Sequence, residues 1–256
     1  MTQRNPFRLR LLGALMSGAV VLTLAAPALA QPEGVDPAAA ERLRTSLAYL
    51  NGLEAFSVNT QGSLEIVLLD GQKVQLLNQV DMALQRPNRM HARRTGEAAE
   101  QEFFYDGKTL TLHEPGSSAY ASLPAPATIE AMLDFAREEL DIVAPAGDLL
   151  DANAYEVLME GVRTGFIVGT VMLDGILCDH LAFSAPGTDF QLWVEQGERP
   201  LPRRMVITSR DVVNAPQYTV HFGDWDLAPR FSENHFRFDP PDGAMVIDFT
   251  HTGDMP

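Results

Sequence analysis

The fold is decided by the stretch from Leu84 to Leu140, which contains LQRPN (84–88), EFFYDGKTLTL (102–112) and TIEAMLDFAREEL (128–140). The first segment is typical of a strand end that runs into a turn. The second places Asp106-Gly107 between two β-rich runs, and Asp-Gly tolerates the positive φ of a tight turn, so it predicts a β-hairpin. LPAPA (123–127) then ends the strand pattern, because proline cannot donate to a sheet ladder.

The third segment predicts an amphipathic helix over residues 128–140. Its apolar side chains recur at helical spacing, at Ile129, Met132, Leu133 and Ala136, with Phe135 beside them. A helix that interrupts a run of strands must bury this face, and the sheet is the only large apolar surface available. The face is then either ordinary core or the lining of a cavity that opens when the helix lifts as a lid. Methionine and phenylalanine suit loosely shaped acyl ligands.

Helices are predicted at two further places. Asp36-Pro37 starts one that continues to Leu50, because aspartate caps the first turn and proline suits the first helical position. Residues 148–159 also have a helical pattern. No alternation of strand and helix of the kind that builds parallel sheets is present. The sheet should therefore be antiparallel.

Strand patterns fill residues 55–94 and 164–227, and several are joined by Asp-Gly turns. The first is broken near Gln61-Gly62. Phe166–Leu173 is apolar on both faces, which predicts a cover on each side. We predict an α+β, mainly β fold of about ten strands. A curved antiparallel sheet forms an unclosed half-barrel, covered by an N-terminal helix and a central helical lid.

The first thirty residues predict export to the periplasm. Arg4, Arg8 and Arg10 form a positive region, Leu11–Leu24 is apolar, and a small-x-small site predicts cleavage after Ala30. No later segment has enough uninterrupted apolar residues to span a bilayer. The prediction is a signal peptide over residues 1–30 and a single periplasmic domain over residues 31–256, without a transmembrane segment.

Charge and cysteine content exclude several classes of protein. The formal charge is −15, and loss of three N-terminal arginines would make the mature domain more acidic. Such a surface repels nucleic acid and anionic headgroups, so we expect no nucleic-acid partner. A single cysteine allows no intramolecular disulfide. Because no phosphate loop or metal-ligand motif is present, we expect no cofactor and no metal. We also expect a monomer.

Cys178 and His180 lie two residues apart on a predicted strand, so both point to one face. A thiolate and an imidazole could act as nucleophile and base. Catalysis would also need an orienting group and an oxyanion hole, and neither can be placed. The simpler interpretation is a packed cysteine beside a hydrogen-bonded histidine. We therefore predict no catalytic residues.

Two parts of the chain resemble the LolA/LolB family of outer-membrane lipoprotein-sorting proteins. LQRPN (84–88) and DGKTL (106–110) resemble its front half, and FRF (236–238) with PPDG (240–243) resembles its end. The resemblance implies an unclosed barrel plugged by helices, with acyl chains held between. It also implies that Arg86 matches the arginine that ties the family's lid shut. The alternative for Arg86 is a solvated arginine at a strand end. The segment after Leu123 departs from the family pattern, which leaves the lid and the ligand open.

The whole chain is more similar to a family of predicted periplasmic proteins without an assigned function. This resemblance runs from about Ala38 to Phe249. Its motifs are SLPAPATI (122–129), CDHLAF (178–183), QLW (191–193) and RPLPR (199–203).

The leading hypothesis is a non-enzymatic periplasmic binding protein for a lipophilic ligand, such as a carrier of lipid or of lipoprotein acyl chains. Its candidate lid and cavity residues are Arg86, Ile129, Met132, Leu133, Phe135 and Ala136. RseB-like envelope sensors share the fold type, so the second hypothesis is a regulator that binds an envelope protein. The third and least favoured is a hydrolase that uses Cys178 and His180.

Overall fold

A computed structural model describes residues 34–142 and 144–249. Within them, α-helices lie at Pro37–Asn51 (α1), Ile129–Leu140 (α2) and Ala154–Met159 (α3), with a 3-10 turn at Gly147–Leu150. The strands are Gly34–Val35 (β1), Ala55–Val67 (β2), Lys73–Gln85 (β3), Arg89–Gly96 (β4), Gln101–Tyr105 (β5), Thr109–Glu114 (β6), Ala119–Pro124 (β7), Thr164–Leu173 (β8), Ile176–Ala185 (β9), Thr188–Glu195 (β10), Pro202–Ser209 (β11), Gln217–Asp226 (β12) and Met245–Val246 (β13).

These strands form one sheet in the order β1-β8-β9-β10-β11-β12-β2-β3-β4-β5-β6-β7-β13. Neighbours are antiparallel except at the two outer pairs, where β1 runs parallel to β8 and β13 runs parallel to β7. The sheet does not close into a barrel. The predicted α+β half-barrel is confirmed.

One face of the sheet, which we call the inner face, carries the helices. Cross-strand register shows which side chains share it: Phe56 pairs with Leu84, and Leu84 pairs with Met90. These residues form one buried cluster with Leu43 and Leu47 of α1. The apolar face of α2 belongs to the same cluster. The two predicted covering helices are therefore present, and both rest on the inner face.

The opposite, outer face is covered over β4–β7 by aromatic residues of the C-terminal segment. The Phe238 ring centroid lies 5.4 Å from that of Phe104 and 4.9 Å from that of Tyr120. His91 stacks on Phe104 at 4.3 Å between ring centroids. Phe236 is buried. The segment that contains Phe236 and Phe238 thus covers this part of the outer face, whereas the helices cover the inner face.

Three details of the sheet differ from the prediction. β2 runs unbroken through Gly62, which pairs with Asn78, and the Asn78 Oδ1 lies 2.7 Å from where a Cβ of Gly62 would be. The described strands number thirteen rather than about ten. The six-residue β7 is missing from the prediction, and the two-residue strands β1 and β13 are too short to leave a periodic pattern. β8 lies near a sheet edge, so Phe166 and Met172 are 53% and 57% exposed rather than covered on both sides.

The predicted signal peptide and its cleavage site fall in residues 1–33, outside the described residues. In residues 34–142 and 144–249, no helix is both long and apolar enough to cross a bilayer. The single-domain boundary at residue 31 stays a prediction.

Candidate ligand-binding site

The lid helix α2 begins where the Arg86-Pro87 turn ends. The Ile129 backbone N–H donates to the Pro87 carbonyl at 3.0 Å. The Thr128 hydroxyl caps the first turn by accepting from the Ala131 N–H at 3.3 Å. These contacts place the positive end of the helix dipole beside the end of β3, where the first-turn carboxylate of Glu130 is favourable.

Arg86 connects three parts of the helical cover. Its Nη1 donates to Glu130 Oε1 of α2 at 3.1 Å. Its Nη2 donates to Asn51 Oδ1 at the end of α1, and to the Leu150 carbonyl at 3.1 Å. Asn51 in turn donates to the Asp151 carbonyl at 2.8 Å. One side chain at the end of β3 therefore ties α1, α2 and the 3-10 turn together through charge-assisted hydrogen bonds.

The environment of Arg86 differs from that of a solvated surface arginine. The side chains of Arg86 and Glu130 are only 16% and 22% exposed. Burial lowers the pKa of Arg86, while the carboxylate of Glu130 opposes this change. The structure thus places Arg86 under the lid, in contact with its first turn.

The two LolA-like motifs meet at this end of the sheet. Gly107 has φ of 92°, and a Cβ there would lie 2.5 Å from Asn88 Nδ2, so both backbone conformation and space require glycine. The Tyr105 hydroxyl donates to the Pro126 carbonyl, which fixes the proline loop before α2. Burial raises the pKa of Tyr105 to about 12, so the phenol stays a donor.

The predicted lid residues divide into two groups. Ile129, Met132 and Ala136 are buried against the sheet, and Leu133 packs partly against the same core. Phe135 is partly exposed. The structure brings the first four together on the inner face and leaves Phe135 at the margin.

The sequence analysis missed the partners of Arg86. Helical spacing places Glu130 off the apolar face of α2, and Asn51 follows the last apolar residue of α1, so neither position predicts a contact with Arg86. Nothing in the local pattern of either residue points to an arginine 44 or 35 positions away. The one available signal was that Glu130 lies in the first turn of a helix preceded by a proline-rich loop.

The helices cover only one end of the inner face. Along β3, inner-face side chains pass from the buried Leu84 to Val80 and Leu76, which are partly exposed. We call the end beside Arg86 the closed end, and the end beside the Asp70-Gly71 turn the open end. The partly exposed apolar residues between them form what we call the open floor: Leu64, Leu76, Val80, Phe103 and Leu112.

Cys178 and His180 share one face of β9, as predicted, and that face is the outer one; their side chains do not hydrogen-bond each other. Cys178 is buried, and burial raises the pKa of its thiol, which disfavours a thiolate. His180 hydrogen-bonds Gln191 Oε1 at 2.9 Å and stacks on Trp193 at 3.9 Å between ring centroids. Packing accounts for both residues. Among the described residues, no three His, Cys, Asp or Glu side chains are grouped as a metal site requires.

Comparison with protein families gives a match over residues 39–250. The family is described as a predicted periplasmic protein family (DUF2092). The chain belongs to the DUF2092 family. This confirms the resemblance to predicted periplasmic proteins that the sequence motifs indicated. No curated protein matches the chain.

Several solved structures are similar in fold to this DUF2092 protein. LprF from Mycobacterium bovis is 16% identical with a TM-score of 0.48, over 81% of this chain and 100% of LprF. A LolA superfamily protein from Nitrosomonas europaea is 14% identical with a TM-score of 0.35, over 78% and 97%. MucB in the Pseudomonas aeruginosa MucA/MucB complex is 12% identical with a TM-score of 0.44, over 79% and 61%. None of these similarities says what this chain binds.

Proposed function

We propose that this protein is a non-enzymatic periplasmic binding protein for a lipophilic ligand, whose acyl chain lies on the open floor beside the lid. The observation that carries the proposal is the half-covered inner face. Leu76, Val80 and Phe103 continue the apolar surface of the buried core beyond the reach of the helices. A soluble protein that leaves a continuous apolar surface uncovered commonly uses it for binding.

The lid supplies the second half of such a site. Met132 and Leu133 already present apolar surface to the sheet, and lifting α2 would offer that surface to a ligand. Lifting would also separate Arg86 from Glu130, so the arginine favours the closed state. Each methylene removed from water contributes about 0.8 kcal/mol. Burial of a long acyl chain could thus offset loss of the ion pair between Arg86 and Glu130 without specific polar contacts.

Nile red, an uncharged fluorescent probe, tests the apolar part of this proposal. Leu76→Glu would place a carboxylate on the open floor, and we expect Nile red and oleyl alcohol to bind at least about tenfold more weakly. Leu77→Glu is the matched control, because Leu77 is the next residue of β3, points to the outer face and is 58% exposed. It should bind both as the wild type does.

Two results would contradict the proposal. One is wild-type protein, freed of lipid by organic extraction and refolded, that binds neither Nile red nor oleyl alcohol. The other is an equal effect of Leu76→Glu and Leu77→Glu. Native mass spectrometry of protein purified from the periplasm should in addition detect a bound acyl species.

A partner-binding regulator is the second candidate, and the edge of the sheet favours it. β1 pairs only with Thr164 and Gly165, so among the described residues no strand pairs with the rest of this edge of β8, beside the exposed Phe166 and Val168. An exposed strand edge with apolar side chains fits an added strand from a partner protein. Stoichiometric co-purification of one membrane protein with lipid-free protein, lost in Phe166→Lys and kept in Leu77→Lys, would support this candidate.

A further inference from the structure

One cation interrupts the apolar open floor. Arg94 pairs in register with the floor residue Val80, so its side chain lies on the inner face. The preceding residue, Arg93, points to the outer face, where it forms ion pairs with Glu100 at 2.8 Å and with Glu102 at 3.7 Å. Two consecutive arginines of β4 therefore face opposite environments.

Arg94 has no anionic partner in residues 34–142 and 144–249. Two other partly buried arginines have one: Arg86 pairs with Glu130, and Arg203 pairs with Glu195. Arg204 has no ion pair in this part of the chain either, but its guanidinium lies over the Trp193 ring at 5.0 Å from the centroid. A charge beside an apolar surface is costly to desolvate unless it is paired. The planar guanidinium matches carboxylate and phosphate oxygens in a bidentate geometry, so the missing partner is best supplied by such an anion.

Polar side chains accompany Arg94 on the inner face, among them Tyr218, Asn78 and the cross-strand neighbour Gln101. Burial raises the pKa of Tyr218, and the positive charge of Arg94 opposes this change, so the phenol stays a donor within range of that charge. Asn78 lies on the inner face two residues before Val80, and its amide occupies the space over Gly62. The open end therefore offers a cation and several neutral hydrogen-bonding groups beside the apolar residues of the open floor.

We propose that Arg94, with Tyr218 and Asn78, binds the anionic head group of a single-chain amphiphile, a carboxylate or a phosphate monoester, whose chain runs along the open floor toward the lid. This inference rests on the proposed function and names its ligand class. The overall charge of the protein is negative. Selection therefore depends on one inward-facing cation rather than on general attraction of anions to the surface.

Displacement of Nile red by three ligands with the same chain tests the head-group site. These are oleyl alcohol, oleate and oleyl phosphate. We expect wild-type protein to bind at least one of the two anions about tenfold or more tightly than the alcohol, because a charge-assisted bidentate pair exceeds a neutral hydrogen bond. The tighter of the two identifies the head group. Acetate and inorganic phosphate, which lack the chain, should not displace the probe at the same concentrations.

Variants of β4 assign the preference to Arg94. Arg94→Gln should remove the preference for the anion, whereas Arg94→Lys should keep part of it, because lysine retains the charge but not the bidentate geometry. Arg93→Gln should keep all of it, since Arg93 faces outward. Circular dichroism melts establish that each variant is folded.

The outcomes separate this inference from the proposed function. If oleyl alcohol binds the wild type as tightly as both anions do, the head-group site is wrong while the apolar site stands. A preference that survives in folded Arg94→Gln also overturns it. If Arg94→Gln does not fold, the head-group site is still tested by the ratio of anion to alcohol affinity in the wild type and by the change of that ratio in Arg94→Lys. If neither Nile red nor any of the three ligands binds, the proposed function itself fails.

Discussion

The closed and open ends of the inner face have similar side chains and different surroundings. β3 contributes to both: Leu84 is fully buried beneath the helices, while Leu76, eight residues earlier on the same face, is partly exposed. Strand pattern and residue type are the same at the two positions. The difference is that α1 and α2 reach one end of the sheet and not the other. Burial along this strand is therefore decided by which of its residues the helices cover, and the uncovered end is where the proposed ligand would lie.

Truncation of these two leucines should give the largest difference in stability between the closed end and the open end. Leu84→Ala should lower the free energy of unfolding by about 3 kcal/mol or more, because it leaves a cavity in a closed core. Leu76→Ala should cost less than about 1 kcal/mol, since the residue is already partly in water. Urea titration of both variants measures the difference. Equal losses would mean that the open floor is ordinary core.

A second pair compares arginines that hold the lid from beneath and from outside. Arg86→Leu should lower the free energy of unfolding by about 2 to 3 kcal/mol, because it leaves the partly buried oxygens of Glu130, Asn51 and Leu150 without their donor. It should also speed exchange of bound Nile red. Arg137→Leu should cost less than about 1 kcal/mol, since its ion pairs with Asp134 and Asp148 lie in solvent.

Chemical denaturation and stopped-flow release of Nile red measure these two effects. The assignment of Arg86 to the lid would be wrong if its substitution matched that of Arg137 in both stability and release rate.

A smaller effect concerns the outer face, which is covered by the C-terminal segment instead of by helices. Burial lowers the pKa of His91 and of His235, whose rings are 5.4 Å apart, and His235 also disfavours protonation of His91. Glu102 raises the pKa of His91, and Arg93 lowers it. A histidine whose folded pKa lies below its ordinary value near 6.5 binds more protons when unfolded.

The stability that His91 and His235 contribute is thus complete above pH 6.5 and is lost as the pH falls toward their folded values. The melting temperature of the wild type should fall between pH 7.5 and pH 5.5. His91→Phe keeps the aromatic contact with Phe104 and should show a shallower fall. Identical slopes for the two proteins would remove His91 as the cause.

The sequence predicted those features whose causes are local. α1 begins at Asp36-Pro37 and α2 follows Thr128, because capping and proline effects act within one turn. The Asp106-Gly107 hairpin depends only on the two turn residues and the β-rich runs beside them. Arg86 entered through a family resemblance, and its partner Glu130 was missed because the two residues are far apart in the chain.

Strand alternation, helix caps and turns depend on residues that are neighbours in the sequence. The sequence alone therefore determines that this protein is a half-barrel sheet with two covering helices. Three features depend on contacts between distant segments: which end of the inner face stays open, which of the consecutive Arg93 and Arg94 finds a carboxylate, and which apolar strand becomes the edge. Because side chains alternate between the two faces along a strand, the sequence alone indicates that the two arginines point to opposite faces. Only the assembled sheet shows that Arg93 has Glu100 and Glu102 beside it while Arg94 faces the open floor.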